Sequence, residues 1–419
     1  MGIIIGIEEN SKKTKAEDTD MSDNIYAGLP EDLVAALKRC DVLAGPEQLD
    51  YYYNLYDPET GGFYYSISSR DTREMTPFAE GTSFTLEALR MGGMTLPDWY
   101  KEKVGPWIQN HQDESDGFFY EDLWGKITSG PRLNRDLSYS RDILSLCGLK
   151  PKYPLPQERL KGGEVSSTIP AYLENEETML AYLDSLDWSY DMIWSTGQRL
   201  TTARTLIEAA GLLPLTREYI KNKQNPETGL FGDGFGWMNT NGAMKLSGFF
   251  DKDFPYPNVD LMLESVKKIY SGTPPTSATM TWNPFVLMNR AIASNVEDSE
   301  RLRKVLYEKA PAIINCAIDA ALLMKRADGG FASSISKPIK RQQGYLFGLA
   351  LPEESDLDGT LIAGPRLRRT IHAVFGIAAP DQYYAQYNDE FWERCKNKAP
   401  IVKIYDKPDE PLAPAVKHP

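Results

Sequence analysis

A short phrase recurs along this chain: Asp57-Pro-Glu-Thr-Gly-Gly-Phe63, Asp113-Glu-Ser-Asp-Gly-Phe118, Asn225-Pro-Glu-Thr-Gly-Leu-Phe231 and Ala327-Asp-Gly-Gly-Phe331. Each reads as a turn with a mechanism: Asp or Asn opens it, Pro where present sets φ, and Gly supplies positive φ. The aromatic that follows plugs the turn against a core. The four phenylalanines are spaced by 55, 113 and 100 residues, close to one, two and two periods of about 50–56, a range typical of repeat architectures. Two further units, near 165–213 and 256–295, then lack the phrase. Six units fill most of the 419 residues.

After the phrases come segments that read as helix starts: Glu80-Gly81-Thr82, Asp136-Leu137-Ser138, Asn241-Gly242-Ala243 and Asp358-Gly359-Thr360. An acid or amide there caps free N–H groups and complements the helix dipole. Between phrases the apolar residues keep helical spacing. In Pro311–Lys325 they are Ile313, Ile314, Ala317, Ile318, Ala321 and Leu322, and Cys316 and Leu323 widen the stripe into a helix buried on most sides. Thr201–Leu213 repeats the pattern, with Gly211 placed as a C-cap. Runs such as Gly62–Ile67 are short and read as hairpins at one rim. A helical hairpin cannot bury its apolar face alone, so the units must stack. The expected fold is all-α, an (α/α)6-like toroid over residues 25–400, with a disordered segment at 1–24 and a loose, Pro-rich tail at 401–419.

The net charge is −13, which works against a broad phosphate-binding surface, so no nucleic-acid partner is expected. Four scattered cysteines without a CxxC pair point to reduced thiols and a cytoplasmic setting. No run of 18 apolar residues spans a membrane. The opening Met1–Ile7 is too short for a signal peptide, and Met21 is a candidate start.

The repeated Asp-Gly-Gly-Phe phrase, together with Ser355-Asp-Leu-Asp-Gly-Thr360, resembles the terpenoid cyclase and protein prenyltransferase superfamily of α/α toroids. The latter segment is similar to the DxDDT motif of class II terpene cyclases. The resemblance implies that Asp358 is a general acid towards an alkene, with Asp356 as its neighbour. Gly359 stands where the motif has its last Asp. The zinc ligands of prenyltransferases and the magnesium motifs of ionising synthases are not recognisable, so no metal and no cofactor is expected.

Candidate catalytic residues are Glu80, Asp136, Asp356 and Asp358, which a closed ring would bring towards one cavity; the alternative is that each only caps its helix. Candidate substrate-binding residues are Trp124, Trp194, Trp237, Trp282 and Tyr345, as platforms for sugar rings or polyprene chains, or as core plugs. Arg132 is a candidate anion ligand, and so are Arg199, Arg204 and the Arg366/Arg368/Arg369 cluster. Three readings follow. The first is a glycoside hydrolase or polysaccharide lyase acting on an oligosaccharide or other small molecule. The second is a class II cyclase-like enzyme or isomerase using Asp358. The third is a non-catalytic toroid that binds a peptide or protein. With three histidines and no GxSxG, P-loop or HExxH, other machinery has little to build on. The sequence leaves the oligomeric state open.

Overall fold

The structure is a computed structural model and describes residues 25–127, 129–163 and 168–414. The segment 1–24 expected to be disordered, with the candidate start Met21, lies outside them.

The repeated phrases close the same turn. The Asp57 N–H donates to Gly62 O and the Gly61 N–H to Asp57 O, both at 2.9 Å. Asp113 with Phe118 and Gly117, and Asn225 with Leu230 and Gly229, repeat the pattern at 2.9, 2.9, 2.8 and 2.9 Å. The opening side chain accepts a backbone N–H two or three residues on, from Thr60, Ser115 and Glu227 respectively. Gly61, Gly117 and Gly229 carry φ of 81°, 76° and 67°, where a Cβ is strained. The fourth turn is one residue shorter and closes from the Arg326 N–H to Gly330 O at 3.0 Å. Each turn ends in a bridge back to its start: Tyr56 with Phe63, Gln112 with Phe119, Gln224 with Phe231, and Lys325 with Phe331. The second phrase therefore aligns on Phe119, and Phe118 takes the place of the second glycine. All of these phenylalanines are buried.

The chain is mostly helical. Helices α1 (Ala79–Met91), α2 (Pro131–Leu146), α3 (Ile193–Ala209), α4 (Trp237–Leu246) and α5 (Ala278–Ser294) pack each on the next. α5 then packs on α7 (Leu367–Val374), which a π-turn at Ile362–Arg366 joins to α6 (Leu357–Leu361), and α6 returns to α1. Pro365 lacks an N–H to donate, which accounts for the widened turn there. At the point of return the Leu357 N–H donates to Tyr65 O at 3.0 Å. A second set of helices lies against these: Asp98–Asn110 on α2, Leu213–Asn222 on α3, and Val259–Gly272 and Ala310–Met324 on α5. α3 and α5 occupy the two intervals that lack the phrase.

Two helix starts meet their turns in the same way. The Phe63 N–H donates to Thr82 Oγ1, and the Phe331 N–H to Thr360 Oγ1, both at 3.0 Å. A Cβ on Gly81 would stand 2.9 Å from Phe63 O, and one on Gly359 2.5 Å from Phe331 O. The acid-Gly-Thr phrase thus records a turn carbonyl pressed against a helix N-terminus.

Three expectations are corrected. Gly62–Ile67 forms no hairpin: it makes one isolated bridge, and Ile67 opens a short helix. The one ladder among the described residues pairs Arg341–Gln342 with Tyr345–Leu346. In Ala310–Met324 the stripe is buried, but Leu323 is 63% exposed because that face has no neighbour. The C-terminal segment does not hang free as far as it is described. Ile404 and Tyr405 donate to Asp71 O, Leu346 donates to Leu412 O, and Arg341 pairs with Glu410 at 2.9 Å.

All four cysteines are free, and burial pushes the thiols of Cys40 and Cys395 up to about 12, so they stay protonated and inert. Among the described residues no helix is long and apolar enough to cross a membrane.

Candidate functional site

A cavity of about 490 Å³ opens where the helices α1 to α6 converge. Its wall has an aromatic part, formed by Phe84, Tyr139, Trp194 and Trp282. It also has a cationic part, formed by Arg135, Lys245, Arg290, Arg341 and Arg366. The acids on the wall are Asp358 and Asp191, with Gln198, Asn283, Gln342 and Gln343 adding amides.

Asp358 and Asp356 share one hydroxyl, that of Tyr65. Tyr65 Oη is 3.3 Å from Asp358 Oδ2 and 3.4 Å from Asp356 Oδ1. Asp356 is the N-cap of α6 and accepts from Gly359 N at 2.7 Å, Ser333 N at 2.9 Å, Ser333 Oγ at 2.6 Å and Ile339 N at 3.1 Å. Burial raises both carboxyls above the usual range. At Asp356 the charge of Asp358 adds to the rise and the Gly359 and Ser333 donors oppose it, whereas at Asp358 the guanidiniums of Arg135 and Arg366 and the Tyr65 hydroxyl oppose it. Only Asp358 of the two reaches the cavity.

Glu80 and Asp136 are buried behind the wall. Glu80 is paired with Arg132 and Arg135, and Arg132 also binds Asp136 through Nε at 2.8 Å. Trp124 donates to Asp136 at 3.4 Å and stacks on Phe347, with the Arg132 guanidinium 5.5 Å over its ring. Tyr345 packs at a tilt on Trp124, while Trp237 donates to Thr273 O at 3.2 Å and packs on Tyr270. Of the sequence candidates, Asp358, Trp194 and Trp282 therefore meet in the cavity. Glu80, Asp136, Asp356, Arg132, Trp124, Trp237 and Tyr345 are held by protein partners around it. Of the remaining arginines, Arg366 lines the cavity, Arg368 pairs with Asp41, and Arg199 and Arg369 are exposed.

Glu121 joins the buried cluster by accepting from Ala79 N at 2.8 Å. Burial, with Asp136 beside it, pushes Glu121 up to about 8 from an ordinary 4.5. Between those values the unfolded chain ionises while the folded protein keeps its proton, so stability falls as pH rises and levels off above about 8. Glu121→Gln keeps the acceptor and removes the titration. We expect a gain of about 1–3 kcal/mol at pH 9 and none at pH 4, read from urea midpoints at the two pH values.

The wall's cations are unequally compensated. Arg135 is paired with Glu80, Arg366 with Glu87 at 2.8 Å and Arg341 with Glu410 at 2.9 Å. Lys245 and Arg290 form no ion pair among the described residues, and Arg290 has only the Met244 carbonyl at 3.3 Å. Burial and the guanidiniums of Arg135 and Arg290 push Lys245 down to about 7, with Arg366 adding to the fall and Asp358 opposing it. Sequence reasoning missed both residues. Each is the one charged residue of an otherwise uncharged helix, Lys245 in α4 and Arg290 in α5, and a lone charge in such a helix is the signal that was there to read.

Among the described residues no group of three or more His, Cys, Asp or Glu could hold a metal ion. Compared with family models, with curated proteins and with solved structures, the chain matches none.

Proposed function

We propose that the helices form a six-unit α/α toroid and that its cavity is the active site of a lyase acting on a carboxylated sugar chain. The observation that carries this reading is a wall with aromatic platforms and two basic side chains, Lys245 and Arg290, that lack ion-pair partners among the described residues. The free amine of Lys245 takes the proton next to the sugar carboxylate, negative charge builds on that carboxylate, and the Arg290 guanidinium stabilises it. The electrons of the broken C–H bond form the new C=C bond as the neighbouring C–O bond breaks. The leaving oxygen takes a proton from Asp358. Hydrolysis with a pair of carboxylates has less support, because Glu80, Asp136 and Asp356 are occupied by protein donors.

A cyclase-like reading draws on the Asp356–Tyr65–Asp358 arrangement and the aromatic wall. The guanidiniums of the wall oppose it: two like charges about 6 Å apart cost about 3 kcal/mol at an effective dielectric of 20, so a carbocation beside Arg290 is disfavoured. A peptide-binding toroid needs no acid in its cavity and accounts for less of the wall.

The lyase reading is tested by near-ultraviolet absorbance of unsaturated sugar acids released from polygalacturonate, alginate and hyaluronan. Asp358→Asn is expected to lower the rate roughly 10²–10⁴-fold at an unchanged unfolding midpoint. Release from none of these polymers by the wild-type protein, or full activity in the variant, would sink it.

A further inference from the structure

Lys245 has the surroundings of a reactive amine. It sits on α4 facing the cavity, and its Nζ forms no hydrogen bond or ion pair among the described residues. Arg135, Arg290 and Arg366 line the same wall, as does the buried carboxyl of Asp358. A solvated surface lysine is none of these things: its ammonium is stabilised by water and by nearby acids. We propose that Lys245 is a nucleophile that captures the carbonyl carbon of a small anionic aldehyde or oxo acid as an imine, with Arg290 holding the ligand's carboxylate. This inference goes beyond the lyase reading and needs only that the cavity admit a ligand.

The step balances without a redox partner. The free amine's lone pair forms the C–N bond, the carbonyl oxygen takes a proton from Asp358, and the nitrogen returns one to the Asp358 carboxylate. The resulting carbinolamine loses water to give the imine, with an acid again assisting the departure of hydroxide. Desolvation and cationic neighbours are the standard means of keeping a lysine amine free for this chemistry, and both act here: Lys245 is pushed down to about 7. The groups facing it are Arg135, Arg290 and Arg366, which favour the free amine, and Asp358, which opposes it.

The test uses the whole protein with glyoxylate as an anionic aldehyde and acetaldehyde as a neutral one. Cyanoborohydride reduces any imine to a stable secondary amine, and peptide mass spectrometry gives the labelling rate at each lysine. Lys245 is expected to label with glyoxylate at least tenfold faster at pH 7 than the exposed Lys252 and Lys337. Arg290→Met is expected to slow glyoxylate labelling about tenfold more than acetaldehyde labelling, which slows only because the lysine loses one cationic neighbour. Lys245 labelling no faster than the surface lysines overturns the proposal, whatever the polymer assays show. Equal preference for the two aldehydes in the wild-type protein overturns the assignment of the anion to Arg290. Because the comparison among lysines is made within one wild-type digest, it holds even where a variant fails to fold.

Discussion

Glu80→Gln is expected to destabilise the protein by about 3–5 kcal/mol, the usual cost of removing one partner from a buried ion pair. Glu80 is fully buried, and two guanidiniums converge on it, those of Arg132 and Arg135. Asp136 still faces Arg132 in the variant, so the charge left uncompensated is mainly that of Arg135. Adding Arg135→Met to Glu80→Gln should therefore recover part of the loss, and a double-mutant cycle of urea midpoints measures how much. If Glu80→Gln shifted the midpoint by less than the equivalent of about 1 kcal/mol, the typical worth of an exposed pair, the cluster would not hold the wall as described. The same variant frees Arg135 to turn into the cavity, so binding of small carboxylates should tighten as stability falls.

Gly359→Ala is expected to cost about 3 kcal/mol or more, beyond the usual penalty of an extra methyl in a core. The new Cβ would stand 2.5 Å from both Phe331 O and Ser333 N, and these are backbone atoms of a closed turn. Moving them breaks the Phe331–Thr360 and Ser333–Asp356 hydrogen bonds, which hold the last turn on α6. Gly81→Ala meets Phe63 O at 2.9 Å and should cost less. Thermal unfolding of the two variants side by side checks the ranking; equal stabilities would contradict it. The contact also explains the break with the DxDDT pattern: an Asp at 359 would complete the motif but has no room for its side chain.

What the residues reveal on their own follows the range of the forces involved. The turn phrases were legible because their hydrogen bonds close within five or six residues and their glycines are demanded by local φ. The buried stripe of Ala310–Met324 was legible for the same reason, since helical spacing is a local property. Leu323 was misread because exposure of one helix face depends on whether another helix covers it. Of the four acids picked out, Glu80, Asp356 and Asp358 lie at helix starts as expected, whereas Asp136 falls inside α2, which begins at Pro131, and only Asp358 opens into the cavity. The Gly-Thr that follows both Glu80 and Asp358 does not distinguish them. What separates them is that Arg132 and Arg135 of α2 reach Glu80, whereas at Asp358 the nearest partner is the hydroxyl of Tyr65.

By itself, then, the order of residues determined the turns and the helical character of the chain, because each rests on bonds between near neighbours. Only the tertiary structure decided which charges are neutralised and which are left facing the cavity. Lys245 and Arg290 belong to different helices, and their chemistry comes from residues far away in sequence that shape the cavity around them without supplying an ion-pair partner.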